Sequence, residues 1–249
     1  MRCKLSKSLI KKIAFIIVVV LFLLTALMVI VRYQKFGETS MPFELEKILM
    51  VSTVDAEKID DPNNLWNIPI DQVNDIYIYI KKNDTAKKER LIKEIRFDNF
   101  QIVEKPQNGD VVLLKATGDI NTNNLYNNST DDFFSKGLIF NGGEIDDMKG
   151  LEIANIGGVC GFRMALKNLG SFVSTESEEV IYDGSLLSRI GIKQEDIRFK
   201  TSFDMSITMD NNICYKGTIN LELPAGSIIE KGKSSIEKND FSDVIFKRV

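Results

Sequence analysis

The chain has 249 residues, 44% of them hydrophobic and 27% charged, an ordinary globular composition with room for one large domain or two small ones. It contains no histidine, which excludes His-based acid–base catalysis, the Ser-His-Asp and Cys-His arrangements and any metal site built on imidazole. The net charge of −3 is uneven: residues 1–35 carry seven basic and no acidic side chains, leaving −10 for residues 36–249, and an acidic domain without a basic stripe is a poor nucleic-acid binder.

The first element is an unbroken apolar run from Ile13 to Val31, with Thr25 its only polar residue. At about 1.5 Å per residue a helix over this run reaches across the roughly 30 Å core of a bilayer. A cleaved signal peptide has an apolar stretch of only about 7–15 residues ending in a small-x-small site. This run is longer and ends at Arg32, so it predicts a retained transmembrane helix over residues 13–31. Five basic residues precede the run and only Arg32 and Lys35 follow closely. That bias puts the tail, residues 1–12, in the cytoplasm and the rest outside. Residues 32–40 read as a polar neck, and residues 41–249 as the extracytoplasmic domain. No cysteine stands directly after the run, so a lipoprotein anchor is excluded; Cys3 lies on the cytoplasmic side and reads as an inert thiol.

Beyond the neck, period-2 segments separated by turn clusters predict antiparallel β structure. Phe43 to Val51 reads as a first strand that starts polar on one face and becomes buried on both. IDDPNN (59–64) is a turn cluster. DIYIYIKKN (75–83) places Ile76, Ile78 and Ile80 on one face and Tyr77 and Tyr79 on the other. Residues 84–95 are the best helix candidate, with Asp84 or Thr85 as cap and Leu91, Ile92 and Ile95 as an apolar edge. FDNFQIV (97–103) and DVVLLKA (110–116), joined through Pro106 and Asn108-Gly109, read as strand, turn, strand. Residues 119–132 are an Asn-rich loop. FDMSITM (203–209), DNN (210–212) and ICYKGTINLEL (213–223) predict a hairpin with one apolar and one polar face. FSDVIFKRV (241–249) reads as a final strand. The expected fold is therefore mainly β, an antiparallel β-sandwich-like domain with one short helix, behind a transmembrane helix.

Few residues suggest chemistry. Ser40-Met41-Pro42, just after the apolar run, resembles the Ser-Met-x-Pro nucleophile motif of type I signal peptidases, membrane-anchored β proteins that use a Ser–Lys dyad. It lacks the intervening residue. Asn108-Gly109-Asp110-Val111-Val112 distantly resembles that family's Arg-Gly-Asp-Val-Val segment, and the segment carrying the family's lysine base has no counterpart. A lysine base must be desolvated to lose its proton near neutral pH, and every lysine here stands among polar neighbours. Ser40 therefore reads as the end of the neck, with Pro42 opening the first strand. The clusters Asp60-Asp61, Asp131-Asp132 and Glu144-Ile145-Asp146-Asp147 lack the spacing of a calcium loop and read as solvated loop charge. Gly142-Gly143 and Gly157-Gly158 are not followed by Lys-Ser/Thr and read as turns or bulges. Trp66, the only tryptophan, reads as a core or rim residue. Asn83-Asp84-Thr85 and Asn127-Asn128-Ser129 match the glycosylation sequon, which matters only in a secretory pathway. Strand parity places Cys160 with Phe162, Met164 and Leu166, and Cys214 with Lys216, Thr218 and Asn220, so no disulfide between them is expected.

Three stretches, MPFELEKILMVST after the anchor, YDGSLLSRIGIKQEDIRFKTSFD (182–204), and LELPAGSIIEKG with FSDVIFKRV, resemble a group of single-pass membrane-anchored proteins of low-GC Gram-positive bacteria that carries no established function. The resemblance implies the topology and a single β domain. No catalytic residue, metal or cofactor is expected. The expected function is a non-enzymatic binding or scaffold module of the cell envelope, with the bilayer contacted through residues 13–31 and an envelope protein as partner. The competing reading is an envelope hydrolase or Ser–Lys protease.

Overall fold

The computed structural model describes residues 7–57, 59–61, 65–86, 89–115, 133–141, 153–154, 157–175, 181 and 183–249. They fall into two units divided after Thr39. The first unit contains one helix, α1, Lys7–Phe36. Among the described residues it is the single helix long and apolar enough to cross a membrane. The large apolar side chains from Ile13 to Val31 are exposed along it. The helix continues past the apolar run through Arg32, Tyr33 and Lys35 and ends at Gly37, whose φ of 66° and N–H to the Tyr33 carbonyl (2.8 Å) form a left-handed cap. The non-helical part of the neck is therefore only Gly37–Ser40.

The second unit holds two antiparallel sheets. The first has seven strands: β1 (Phe43–Ala56), β2 (Ile59–Asp61), β3 (Leu65–Lys82), β5 (Asp110–Lys115), β7 (Ile153–Ala154), β8 (Gly157–Thr175) and β11 (Lys233–Lys238). Its main path runs β11-β1-β3-β8-β5, with β2 on β3 and β7 on β8. The second has five: β4 (Ile92–Glu104), β6 (Leu138–Asn141), β9 (Phe199–Met209), β10 (Cys214–Leu223) and β12 (Lys247–Arg248), in the order β12-β10-β9-β4-β6. Two short helices, α2 (Phe133–Lys136) and α3 (Ser185–Arg189), and a 3₁₀ turn, Gln194–Ile197, complete the described unit. The sheets meet through a phenylalanine cluster. Phe162 of the first lies 5.5 Å from Phe97 and 5.4 Å from Phe203 of the second, and Phe100 stacks on Phe203 at 5.1 Å.

A second buried region is polar. Ser52, Gln72 and Asn74, all fully buried, face inward from β1 and β3. Ser52 Oγ donates to Asn74 Oδ1 (2.7 Å) and accepts the Ala225 N–H (2.7 Å). Asn74 Nδ2 donates to Gln72 Oε1 (3.0 Å) and to the Met164 carbonyl (3.1 Å), and Gln72 Nε2 donates to Asn74 Oδ1 and the Val73 carbonyl, both at 2.8 Å. Every member has partners, which is the condition for tolerating polar groups in a core.

The predicted hairpin is β9–β10, ten residue pairs in unbroken register. The predicted faces of 75–83 also hold: Ile76, Ile78 and Ile80 are buried and Tyr77 and Tyr79 half-buried. Other expectations need correction. The described residues of 84–95 form no helix. β4 begins at Ile92, and a bulge at Lys93, between the pairs Ile92–Met209 and Glu94–Thr208, sends both Ile92 and Ile95 to the core. That one extra residue produces an i, i+3 apolar spacing inside a strand. β1 is not buried on both faces either. A bulge at Glu46 moves the core face from Phe43 and Leu45 to Ile48, Met50 and Ser52, leaving Leu49 and Val51 half-buried. β4 and β5 do not pair; they belong to different sheets, so the segment around Asn108-Gly109 crosses from one layer to the other. Residues 59–61 are strand rather than turn, and Gly157-Gly158 opens β8 opposite Ile80 rather than making a turn. Within 241–249 only Lys247–Arg248 is strand. The Asn-rich loop 119–132, with its sequon at Asn127, lies outside the described residues, as do Asp131-Asp132, Gly142-Gly143 and residues 144–147.

Candidate interaction site along β10

The hairpin β9–β10 puts Phe203, Met205 and Ile207 into the core together with Ile219 and Leu221. Its other face carries a polar cluster. Asp204 stands opposite Asp98 of β4 on one side and Thr218 of β10 on the other. Lys216 Nζ lies 3.0 Å from Asp204 Oδ2 and 3.3 Å from Asp98 Oδ1. Asn99, in a left-handed conformation (φ 53°) at a bulge of β4, donates to Asp204 Oδ2 (2.7 Å), and Thr218 Oγ1 donates to Oδ1 (2.7 Å). Partial burial disfavours the charge on Asp204, but the hydrogen bonds from Asn99, Thr218 and Lys216 outweigh it and hold its pKa below the ordinary 3.8. The hydrogen bond to Asp204 in turn raises the pKa of Lys216. The cluster is thus an ammonium locked between carboxylates. A lysine so held is neither a nucleophile nor a base, and Asp204 is no general acid.

Two grooves follow β10. The larger, about 430 Å³, has Met50, Leu221, Pro224, Ala225 and Ile236 as its apolar lining, with Gln194, Arg198, Glu222 and Lys238 at its rim. Its charges are paired: Arg198 with Glu222, and Lys238 Nζ with Asp243 Oδ2 (2.8 Å). Gln194 closes one end, donating to the Gly226 carbonyl (3.0 Å) and accepting the Ile228 N–H (3.1 Å). The smaller groove, about 390 Å³, lies between Lys216, Thr218 and Asn220 of β10 and Asp243, Ile245 and Lys247 of the C-terminal segment. Asn220 lines both.

Ser40 is elsewhere. It is exposed where the chain enters the domain, next to buried Met41, Pro42 and Phe43. Asn83 pins that segment: its backbone N–H reaches the Pro42 carbonyl (2.8 Å) and its side-chain amide the Met41 carbonyl (3.0 Å). The Asn83 sequon is therefore occupied by a structural contact. Among the described residues the lysines whose pKa is displaced, Lys47, Lys200 and Lys216, are all raised, by hydrogen bonds to Glu237, Glu104 and Asp204 respectively. That is the reverse of what a Ser–Lys dyad requires. Trp66 is half-buried and packs against the core. Cys160 is fully buried in the first sheet and Cys214 half-buried in the second, and no disulfide joins them. Among the described residues no group of three or more Cys, Asp or Glu is placed to hold a metal ion. Sequence reading finds neither the Asp98–Asp204–Lys216 cluster nor the grooves; the hairpin alternation contains the Asp204–Thr218 half of the cluster, but the strand over 97–103, which carries Asp98 and Asn99, is expected beside 110–116 rather than beside β9. Comparison with protein-family models, with curated proteins and with solved structures gives no match for this chain.

Proposed function

We propose that this protein is a membrane-anchored envelope module that binds a protein partner through the grooved side of its β domain. The reading rests on one observation: two adjoining grooves run along β10, the larger with an apolar lining and the smaller with a mixed polar one, and the charges beside them already have partners. Such walls suit contact with another surface better than the handling of a charged reaction centre. The anchor follows from the exposed apolar stretch of α1, which water disfavours and a bilayer core accepts. The basic residues before it orient the amino terminus to the cytoplasm and the β domain outward. The alternative, a Ser–Lys protease or other hydrolase, is disfavoured by the raised lysines and the locked Asp204.

A photo-crosslinking side chain placed at Asn220 in native membranes should trap a discrete protein adduct, whereas one at Lys81, exposed on β3 beside the Glu44 carboxylate, should not. Equal labelling from both positions would remove the site. Ser40→Ala should leave insertion, folding and the adduct unchanged. A null phenotype from Ser40→Ala in a stable, inserted protein would establish the protease reading instead.

A further inference from the structure

β10 has one strand neighbour along its full length, β9, and on its other side β12 pairs only at Tyr215 and Lys216. Antiparallel pairing alternates, so successive residues point their N–H and C=O groups to opposite sides. The Val249 N–H donates to the Cys214 carbonyl (3.0 Å), which fixes the even-numbered residues of β10 as outward-facing. The next three, Thr218, Asn220 and Glu222, are exposed, and no described strand takes their three N–H and three C=O groups.

The C-terminal segment does not fill this lane. In β12 register, Ile245 and Asp243 would stand opposite Thr218 and Asn220. Instead residues 241–244 form a turn, with the Val244 N–H on the Phe241 carbonyl (2.9 Å), and Lys238 holds Asp243. The space left between this segment and β10 is the smaller groove. Of the usual protections the edge carries one, the charge of Glu222, which Arg198 pairs. Other exposed edges are short or carry lysine at their ends, as β11 does at Lys233 and Lys238. Thr218 to Glu222 has no lysine, proline or bulge.

We infer that the lane beside Thr218–Glu222 takes an extended peptide segment of the partner, added antiparallel to β10 in continuation of β12. The inference rests on the partner-binding reading above and specifies its mode. An open strand edge is complementary to another extended backbone. The walls set the side chains. Residues of the added strand on the core side face Met50, Leu221 and Ile236 and are apolar; those on the other side face Thr218 and Asn220, beside charges that already have partners, and are polar and uncharged.

The test uses the full chain in nanodiscs and an end-blocked hexapeptide alternating valine with threonine. Amide exchange is followed by NMR. The amides of Thr218, Asn220 and Glu222 should exchange fast alone and about tenfold or more slower at saturating peptide, with Ile219 and Leu221, bonded to β9, as internal references. N-methylation of the threonines should abolish the effect, because in this register their N–H groups face β10; N-methylation of the valines should not. Asn220→Pro removes an outward N–H that the sheet does not use, so it should leave the hairpin folded and weaken peptide binding about tenfold or more. Unchanged exchange at the three amides, or the opposite N-methyl pattern, overturns the inference. Concentration-dependent protection without peptide also overturns it, because a second copy then fills the lane. If the peptide fails while the Asn220 crosslinker still traps a partner, the strand-addition mode falls and the partner-binding reading stands. If the crosslinker also traps nothing, both fall.

Discussion

The phenylalanine cluster and the Ser52–Gln72–Asn74 network are equally dry but are held together differently. Phe97, Phe100, Phe162 and Phe203 join the two sheets by ring contacts between 5.1 and 5.8 Å, which depend on shape and area. The polar trio joins β1, β3, the Met164 carbonyl of β8 and the Ala225 N–H beyond β10 by hydrogen bonds, which depend on register. A core of rings tolerates a small slide between strands; a closed set of donors and acceptors does not. The difference teaches that the first region supplies most of the cohesion, and that the second sets which residue stands opposite which.

Measurements of decreasing expected effect can break or sharpen that contrast. Phe203→Ala should cost the most, about 4 kcal/mol in chemical denaturation, because a fully buried ring shared by three neighbours leaves a cavity. Asn74→Ala should cost about 3 kcal/mol by stranding the Gln72 amide and the Met164 carbonyl. Ser52→Ala should cost about 1.5 kcal/mol, mostly from the orphaned Ala225 N–H. The double variant Ser52→Ala/Asn74→Ala should cost less than the sum of its parts, whereas Phe203→Ala and Ser52→Ala should add. Additive behaviour within the polar trio would show that it is not a unit. Asp204 supplies a third, solvent-side reference. Its folded pKa lies below 3.8, so its contribution is present above the unfolded value and is lost as pH falls through the folded one. Melting temperature should therefore drop on acidification below about pH 4, and Asp204→Asn should flatten that part of the profile. Ser40→Ala should have the smallest effect, within about 0.5 kcal/mol.

What was legible in the sequence was what alternates without interruption. The β9–β10 hairpin and the Ile76–Ile78–Ile80 face were clear because each strand keeps one side in the core for its whole length. Bulges defeated the same reading. Lys93 gave β4 a helical spacing, and Glu46 made β1 look apolar on both faces. Nothing local marks an extra residue, since its effect is set by the strand opposite. β11, KSSIEK, has no apolar alternation because it is an edge strand, and its place is fixed by pairing with β1 nearly two hundred residues earlier. The grooves were invisible for the same reason: they arise from where the C-terminal segment leaves β10, which is a tertiary fact.

The helix cap at Gly37 has a kinetic consequence. α1 stays helical to Phe36, so in the chain only the four residues Gly37–Ser40 lie between it and buried Met41. For an anchored chain this converts the search for a partner in the same membrane into diffusion over a surface, at an effective concentration far above that of the same two molecules free in solution. On the proposed partner reading, a site of modest intrinsic affinity would then stay occupied in the membrane, while the severed domain, measured against the same partner in a cuvette, would look like a weak binder.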